Sequence, residues 1–288
     1  MSQSSELGEE RTVEVPVGTI AYRERGHGPV ILLVHGLFVN GDHWRKVVPL
    51  LADRYRCVTP DLPFGAHSHP LPEGADRSAP GLARLIADFI EALGLEDVTV
   101  VSNDTGDAIA QVLVTEHPQR IARLVLTPGD AFTNFLPWVI KPVRPLAWAP
   151  PLFHALLKTF RTRAGQWALL VTIARKFPPK EILEGYFGPP LADAGVRRDL
   201  REIVKRARPR YTVRAARKLR DLRIPALIVW TRAPSPVFPK MHGRRLARLI
   251  PDARYEEVRD SLAFVPEDQP ERLAELISEF VPAGAAVG

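Results

Sequence analysis

The chain is poor in sulfur: one cysteine and two methionines in 288 residues. With Cys57 alone, no disulfide forms within the chain, which excludes the small stapled scaffolds of the secreted world. Long hydrophobic runs are missing too; none reaches the roughly 20 residues that cross a bilayer. Residues Met1 to Arg11 are polar and acidic, without the basic-then-apolar order of a secretory signal. A soluble chain in a reducing compartment is the expectation, with the cytoplasm as its location. Internal repeats and low-complexity tracts are absent, apart from a small-residue tail after Pro282. There is also no basic run interleaved with aromatics. Lys+Arg is 39 against Asp+Glu 33, a net charge of +6, but the excess is mostly arginine scattered from Arg161 to Arg223, the pattern of a solvated face. Neither nucleic acid nor membrane is expected as a partner, and the chain is expected to be a monomer or homodimer.

What is present is an ordinary globular composition, 45% apolar and 25% charged. Its length suits one large α/β domain carrying an insertion. Two alternating segments, Thr12–Val17 and Thr19–Glu24, read as a hairpin turning at Gly18. Val30 to Val34 is a continuous apolar run of the kind buried on both faces of a parallel sheet. Beyond it the pattern alternates: a helix over Asp42–Ala52, a strand at Cys57–Thr59, a helix over Pro80–Leu93, a strand at Val98–Val101, a helix from Gly106 to His117 and a strand at Leu124–Leu126. The alternation returns with a strand at Ala226–Trp230, a helix over Pro239–Leu249, a strand at Tyr255–Val258 and a helix over Pro270–Phe280. This order predicts an α/β fold with a mostly parallel, doubly wound sheet. Between Asp130 and about Arg223 it stops, and Pro-broken helical stretches take over. Residues 131–223 are therefore expected to form a helical cap, with 1–130 and 224–288 as the core domain; an extra helical layer is the other reading.

The stretch that carries chemistry is Ser102-Asn103-Asp104-Thr105-Gly106, where a strand runs directly into a helix. A side chain at the tip of such a turn is held in strained backbone and exposed at the carboxyl end of the sheet, and small neighbours let strand and helix approach. Asp104 sits at that tip, beside the positive end of the following helix, where its carboxylate is expected to stay ionised. Aspartate is also a favoured helix N-cap, so that role stands beside the chemical one.

The strand order, His35-Gly36 after the third strand, Asp61-Leu62-Pro63 after the fourth and the Asp104 elbow resemble the α/β-hydrolase superfamily over nearly the whole chain. The aspartate at the elbow is similar to the haloalkane dehalogenase and epoxide hydrolase branch. There the resemblance implies attack by aspartate on carbon to form an ester, followed by cleavage by a histidine-activated water. It further implies that the N–H groups of Leu37 and Thr105 hold developing negative charge. Asn40 and Trp44 would be pocket-wall residues, or alternatively a cap and a core residue. The branch usually carries tryptophan after the nucleophile; Thr105 departs from that, against halide binding in particular.

By the same resemblance the catalytic histidine should stand just before Phe264-Val265-Pro266, yet the text reads Ser261-Leu262-Ala263. The acid after the seventh strand is missing as well, whereas Asp130, after the sixth, fits the second placement known for it; a cap at the entrance of the insertion is the other reading. His67 and His69, in the loop after the fourth strand, lie on the elbow's rim, and His67 is the candidate substitute base, with a solvated loop histidine as the plain alternative. Their spacing also suggests a metal pair, but no third ligand cluster accompanies it, and neither metal nor cofactor is expected. His35 reads as a structural residue that bonds its own loop. Tyr186 is similar to the cap tyrosines that donate to an epoxide oxygen, with packing as its other reading. The resulting expectation is a hydrolase acting on a small-molecule, apolar substrate, with Asp104 as nucleophile or base and a loop histidine or a carboxylate activating water. A non-hydrolytic ligand-binding protein on the same fold is the alternative, and an interaction role for the basic cap is a third.

Overall fold

A computed structural model of the chain describes residues 4–138, 140–233 and 235–283. Eight strands form one sheet: β1 (Glu9–Val15), β2 (Gly18–Arg25), β3 (Val30–Val34), β4 (Arg56–Pro60), β5 (Val98–Asp104), β6 (Ile121–Gly129), β7 (Ala226–Thr231) and β8 (Ala253–Val258). Their spatial order is β1-β2-β4-β3-β5-β6-β7-β8. The β1–β2 and β2–β4 pairs are antiparallel and all the others parallel. Each predicted strand is present, and most extend a few residues further. The hairpin turns through Pro16 and Val17, just before the Gly18 expected there; Gly18 opens β2 opposite Val15, and its φ of 129° is open to glycine at no steric cost.

The apolar runs are explained by a sheet covered on both faces. Along β3, Leu32 and Val34 join one core cluster while Ile31 and Leu33 join the other; along β7, Ile228 and Trp230 face one way and Leu227 and Val229 the other. Burying alternate side chains on opposite faces requires every position to be apolar.

Of the flanking helices, α1 is short (Val48–Leu51), and α2 (Ala79–Ala92) and α3 (Thr105–Glu116) are long. The single helix expected over Asp42–Ala52 is instead a 3₁₀ turn at Gly41–Trp44 followed by α1. Pro49 gives the reason: it lacks an N–H and clashes with the carbonyl four residues back, so it fits only a first turn. Between β6 and β7 the described residues contain a 3₁₀ stretch (Lys141–Trp148) and α4 (Pro150–Thr159), α5 (Arg163–Leu170), α6 (Lys180–Phe187), α7 (Pro189–Ala192), α8 (Ala194–Arg206) and α9 (Pro209–Lys218), with no strand. The arginine-rich α8 buries Val196, Leu200, Ile203 and Val204 with Asp199 along one stripe and keeps its cations half-buried or exposed, the amphipathic arrangement of a helix laid on a core. The chain closes with α10 (Lys240–Leu249), α11 (Val265–Asp268) and α12 (Pro270–Phe280).

A candidate active site at the elbow after β5

β5 ends and α3 begins at Asp104, whose backbone has φ 59° and ψ −129°. Positive φ in a non-glycine residue costs on the order of 1–3 kcal/mol and persists only where the surroundings dictate it. Three glycines make the corner possible. A Cβ on Gly36 would lie 2.5 Å from the Asp104 Cβ, one on Gly106 2.5 Å from the His35 carbonyl oxygen, and one on Gly129 2.4 Å from the Asp104 carbonyl oxygen. The Asp130 N–H donates to that same Asp104 carbonyl at 3.1 Å. Asp104 makes no side-chain capping bond to α3, so the N-cap reading falls.

Asn103, one residue earlier, knots the rim together. Its amide nitrogen lies 2.7 Å from Thr127 Oγ1, 3.0 Å from the Pro128 carbonyl and 2.9 Å from the Ala263 carbonyl. Its Oδ1 accepts from His43 Nε2 at 2.8 Å. The His43 ring packs edge-on against Phe264, 4.6 Å between centroids, and burial pushes its pKa down to about 3. His43 is thus a neutral structural donor.

Three carboxyl groups meet at the corner. Asp107 and Asp130 are fully buried, while Asp104 stays partly exposed. Burial pushes Asp104 up to about 7 against the downward pull of the Thr105 N–H and hydroxyl. The expectation of a fully ionised carboxylate is therefore corrected: desolvation outweighs the helix N-terminus, and near neutrality the group is divided between its two forms. Asp130 is raised well above the carboxylate range by burial and then by the charge of Asp104. Asp107 is raised by burial, although Ser102 Oγ donates to its Oδ1 at 2.5 Å. The Thr105 hydroxyl lies 3.2 Å from Asp130 Oδ2 and 3.5 Å from Asp104 Oδ1, so one hydrogen links two carboxyls. Asp130 Oδ1 is buried with no hydrogen-bond partner among the described residues.

Other predicted residues fall elsewhere. His67 is fully engaged: the Gly65 N–H reaches its Nδ1 at 3.4 Å, and its Nε2 donates to Asp199 Oδ2 on α8 at 3.1 Å. Nδ1 is used within the loop after β4 and Nε2 ties that loop to α8, which withdraws His67 as the substitute base. Trp44 is fully buried in the core cluster on the far side of the sheet, with Val47, Leu51 and Leu273, and is not a pocket wall. Asn40 is buried as the cap of the 3₁₀ turn, its side chain accepting from the Asp42 N–H at 3.1 Å. His35 behaves as read: the Leu62 N–H donates to its Nε2, its Nδ1 donates to the Gly36 carbonyl, both at 2.9 Å, and burial lowers its pKa to about 4. Leu37 is buried directly after Gly36. Tyr186 is buried with its hydroxyl unpartnered among the described residues, and its pKa is raised by burial first. Position 263 is a fully buried alanine whose carbonyl holds Asn103. A cavity of about 820 Å³ opens among the ends of α4 to α7, and no elbow residue lines it.

Asn103, Asp107 and Asp199 escaped the sequence reading. Asn103 left one signal, a polar residue inside an otherwise apolar strand. Asp107 resembled a surface acid of a first helical turn, and Asp199 one charge among many on an arginine-rich helix.

The family described as the alpha/beta hydrolase fold matches residues 29–176. The chain is 28% identical over 282 residues to "Haloalkane dehalogenase 2" of Mycobacterium tuberculosis, covering 94% of both chains. Among solved structures, a putative epoxide hydrolase from Pseudomonas aeruginosa superposes with a TM-score of 0.76 at 22% identity, over 94% of each chain. A putative lipase from Acinetobacter baumannii gives 0.77 at 21%, over 94% of this chain and 90% of that one. With its sheet order, its strained elbow and a match over more than half of its length, the chain belongs to the alpha/beta hydrolase fold family.

Proposed function

We propose that the chain is a hydrolase in which Asp104 attacks an electrophilic carbon of a small apolar substrate. The observation that carries this reading is the strained, uncapped, partly exposed Asp104 carboxyl at the elbow. Its ionised form adds to carbon as the carbon–oxygen or carbon–halogen bond breaks, leaving an aspartyl ester. Thr105, standing where the dehalogenase and epoxide hydrolase branch carries tryptophan, weighs toward oxygen leaving groups.

Release needs a base, and the carboxylate left for it is Asp130. Burial and then the Asp104 charge raise Asp130; esterification removes the second of these causes, so Asp130 becomes a stronger acid at that stage, and its ionised form is the base in this reading. Its Oδ1 then takes a proton from water as the hydroxide adds to the ester carbonyl. The N–H groups of Leu37 and Thr105 would stabilise the oxyanion, and departure of the alcohol regenerates the Asp104 carboxylate. A buried carboxyl is a slower base than a positioned histidine, so the ester is expected to accumulate.

A second reading, binding without turnover, is favoured by Ala263, which fills the base position with a buried methyl group. Intact-protein mass measurement after incubation with styrene oxide and with 1-iodobutane separates the two. A mass increment mapped to the Asp104 peptide and lost in Asp104→Asn supports nucleophilic attack; turnover unchanged in Asp104→Asn removes it. Saturable binding with no increment and no product supports the second reading.

A further inference from the structure

Large apolar side chains left in water are concentrated between β6 and β7: Trp138, Trp148, Leu152, Trp167, Val171 and Phe177 are all exposed. Trp167 and Phe177, 57% and 43% exposed, belong to the wall of the 820 Å³ cavity. Its inner side is formed by the buried Leu170 and Phe187 with Phe160, whose ring lies 5.1 Å from that of Phe187. Contiguous apolar surface of this kind marks a binding site, and the volume lies in the roughly 300–1,000 Å³ range of sites that enclose small molecules.

The lining also has a charge pattern. Arg161, Arg163 and Lys180 stand against a single carboxylate, Glu184. Glu184 is held by Lys180 at 3.3 Å, and neither arginine is ion-paired among the described residues. A concave apolar wall with uncompensated cations beside it complements a molecule that is apolar along its length and anionic at one end.

We infer that this cavity binds one molecule of a single-chain amphiphile with an anionic head, a long-chain carboxylate, with the chain against Trp167, Phe177 and Phe187 and the head at Arg161 and Arg163. The concavity favours a single chain, since a bilayer surface would meet the rim and leave the inner wall empty. This inference does not rest on the chemistry of Asp104.

Isothermal titration calorimetry of the full chain with dodecanoate, below its micelle concentration, tests it, with dodecyltrimethylammonium as the cation of equal chain length. Saturable one-to-one binding of dodecanoate is expected, at least about tenfold tighter than the cation. Trp167→Ala should weaken both ligands about tenfold, and Arg161→Gln with Arg163→Gln should weaken only dodecanoate, by about three- to tenfold. All these side chains are exposed at the cavity, so the variants keep the core intact. Asp104→Asn should bind dodecanoate as the unaltered chain does, separating this site from the elbow. Equal affinity for the two head groups, indifference to Trp167→Ala, or binding to phosphatidylglycerol vesicles with none to monomeric dodecanoate would each overturn it.

Discussion

Asp104 and Asp199 belong to two carboxylate sites with opposite treatment of charge. Asp199 is fully buried, yet it receives Arg77 Nε at 2.8 Å, His67 Nε2 at 3.1 Å and the Leu71 N–H at 2.7 Å. Burial alone would push it up, but the His67 and Leu71 hydrogen bonds and the Arg77 charge carry its pKa below the usual carboxylate range. The elbow carboxyls have two hydroxyls and the N–H groups of Thr105, Thr127 and Leu136 but no cation bonded to any of them among the described residues, and burial raises them. A buried acid paired with a cation is a fastener; one given only neutral donors has its pKa pushed up by burial, the condition in which candidate functional carboxyls are sought.

The comparison breaks most sharply at Asp104. Asp104→Asn should abolish covalent adduct formation, a loss of about 10³-fold or more in the rate of ester formation followed by mass, without loss of folded structure. Stability should rise at pH 8, because a desolvated charge has been removed. If denaturant melts show the variant to be markedly less stable, the elbow carboxyl is a fastener after all.

Asp199→Ala strands Arg77 and His67 beneath α8 and should cost roughly 3–5 kcal/mol in urea unfolding. A loss below about 1 kcal/mol would mean that this latch is dispensable and that the contrast with the elbow is overdrawn.

The two sites should also respond to pH with opposite signs. For Asp104, raised from 3.8 to about 7, the folded chain keeps a proton that the unfolded chain has released. Stability from this group is therefore complete at low pH and is lost as pH climbs from about 4 to about 7. Ester formation, which needs the anion, should rise with pH around a midpoint near 7. For Asp199, lowered in the folded state, the contribution is present above its unfolded value of 3.8 and lost as pH falls. Melts of Asp104→Asn and Asp199→Asn against pH should each flatten one limb only.

The smallest effect should come from Thr105→Val. Removing the hydroxyl takes away a donor that lowers both Asp104 and Asp130, so the midpoint for ester formation should move upward and the rate at pH 7 should fall about three- to tenfold. An unmoved pH profile would show that the hydroxyl does not couple the two carboxyls.

The sheet was legible because burial on both faces leaves uninterrupted apolar runs, and α2, α3 and α12 because proline, glycine and apolar spacing punctuate them. The strained turn at Asp104 was legible because close strand–helix packing demands small residues around it. The roles of His67 and Trp44 were not: a loop histidine's partner, here Asp199, lies 132 residues away in sequence, and Trp44 gives no linear sign of the side of the sheet it fills. The rise in the Asp104 pKa was equally hidden, since it arises from dryness and from neighbours that only the fold assembles.

The bond from Asn103 to position 263 ends on a main-chain oxygen. Every amino acid supplies that atom, so the loop behind β8 stays bolted to the elbow whatever side chain it carries there. A residue exchange at this spot can delete or install a reactive group while the scaffold around it keeps its shape, which makes position 263 a replaceable part in a fixed machine.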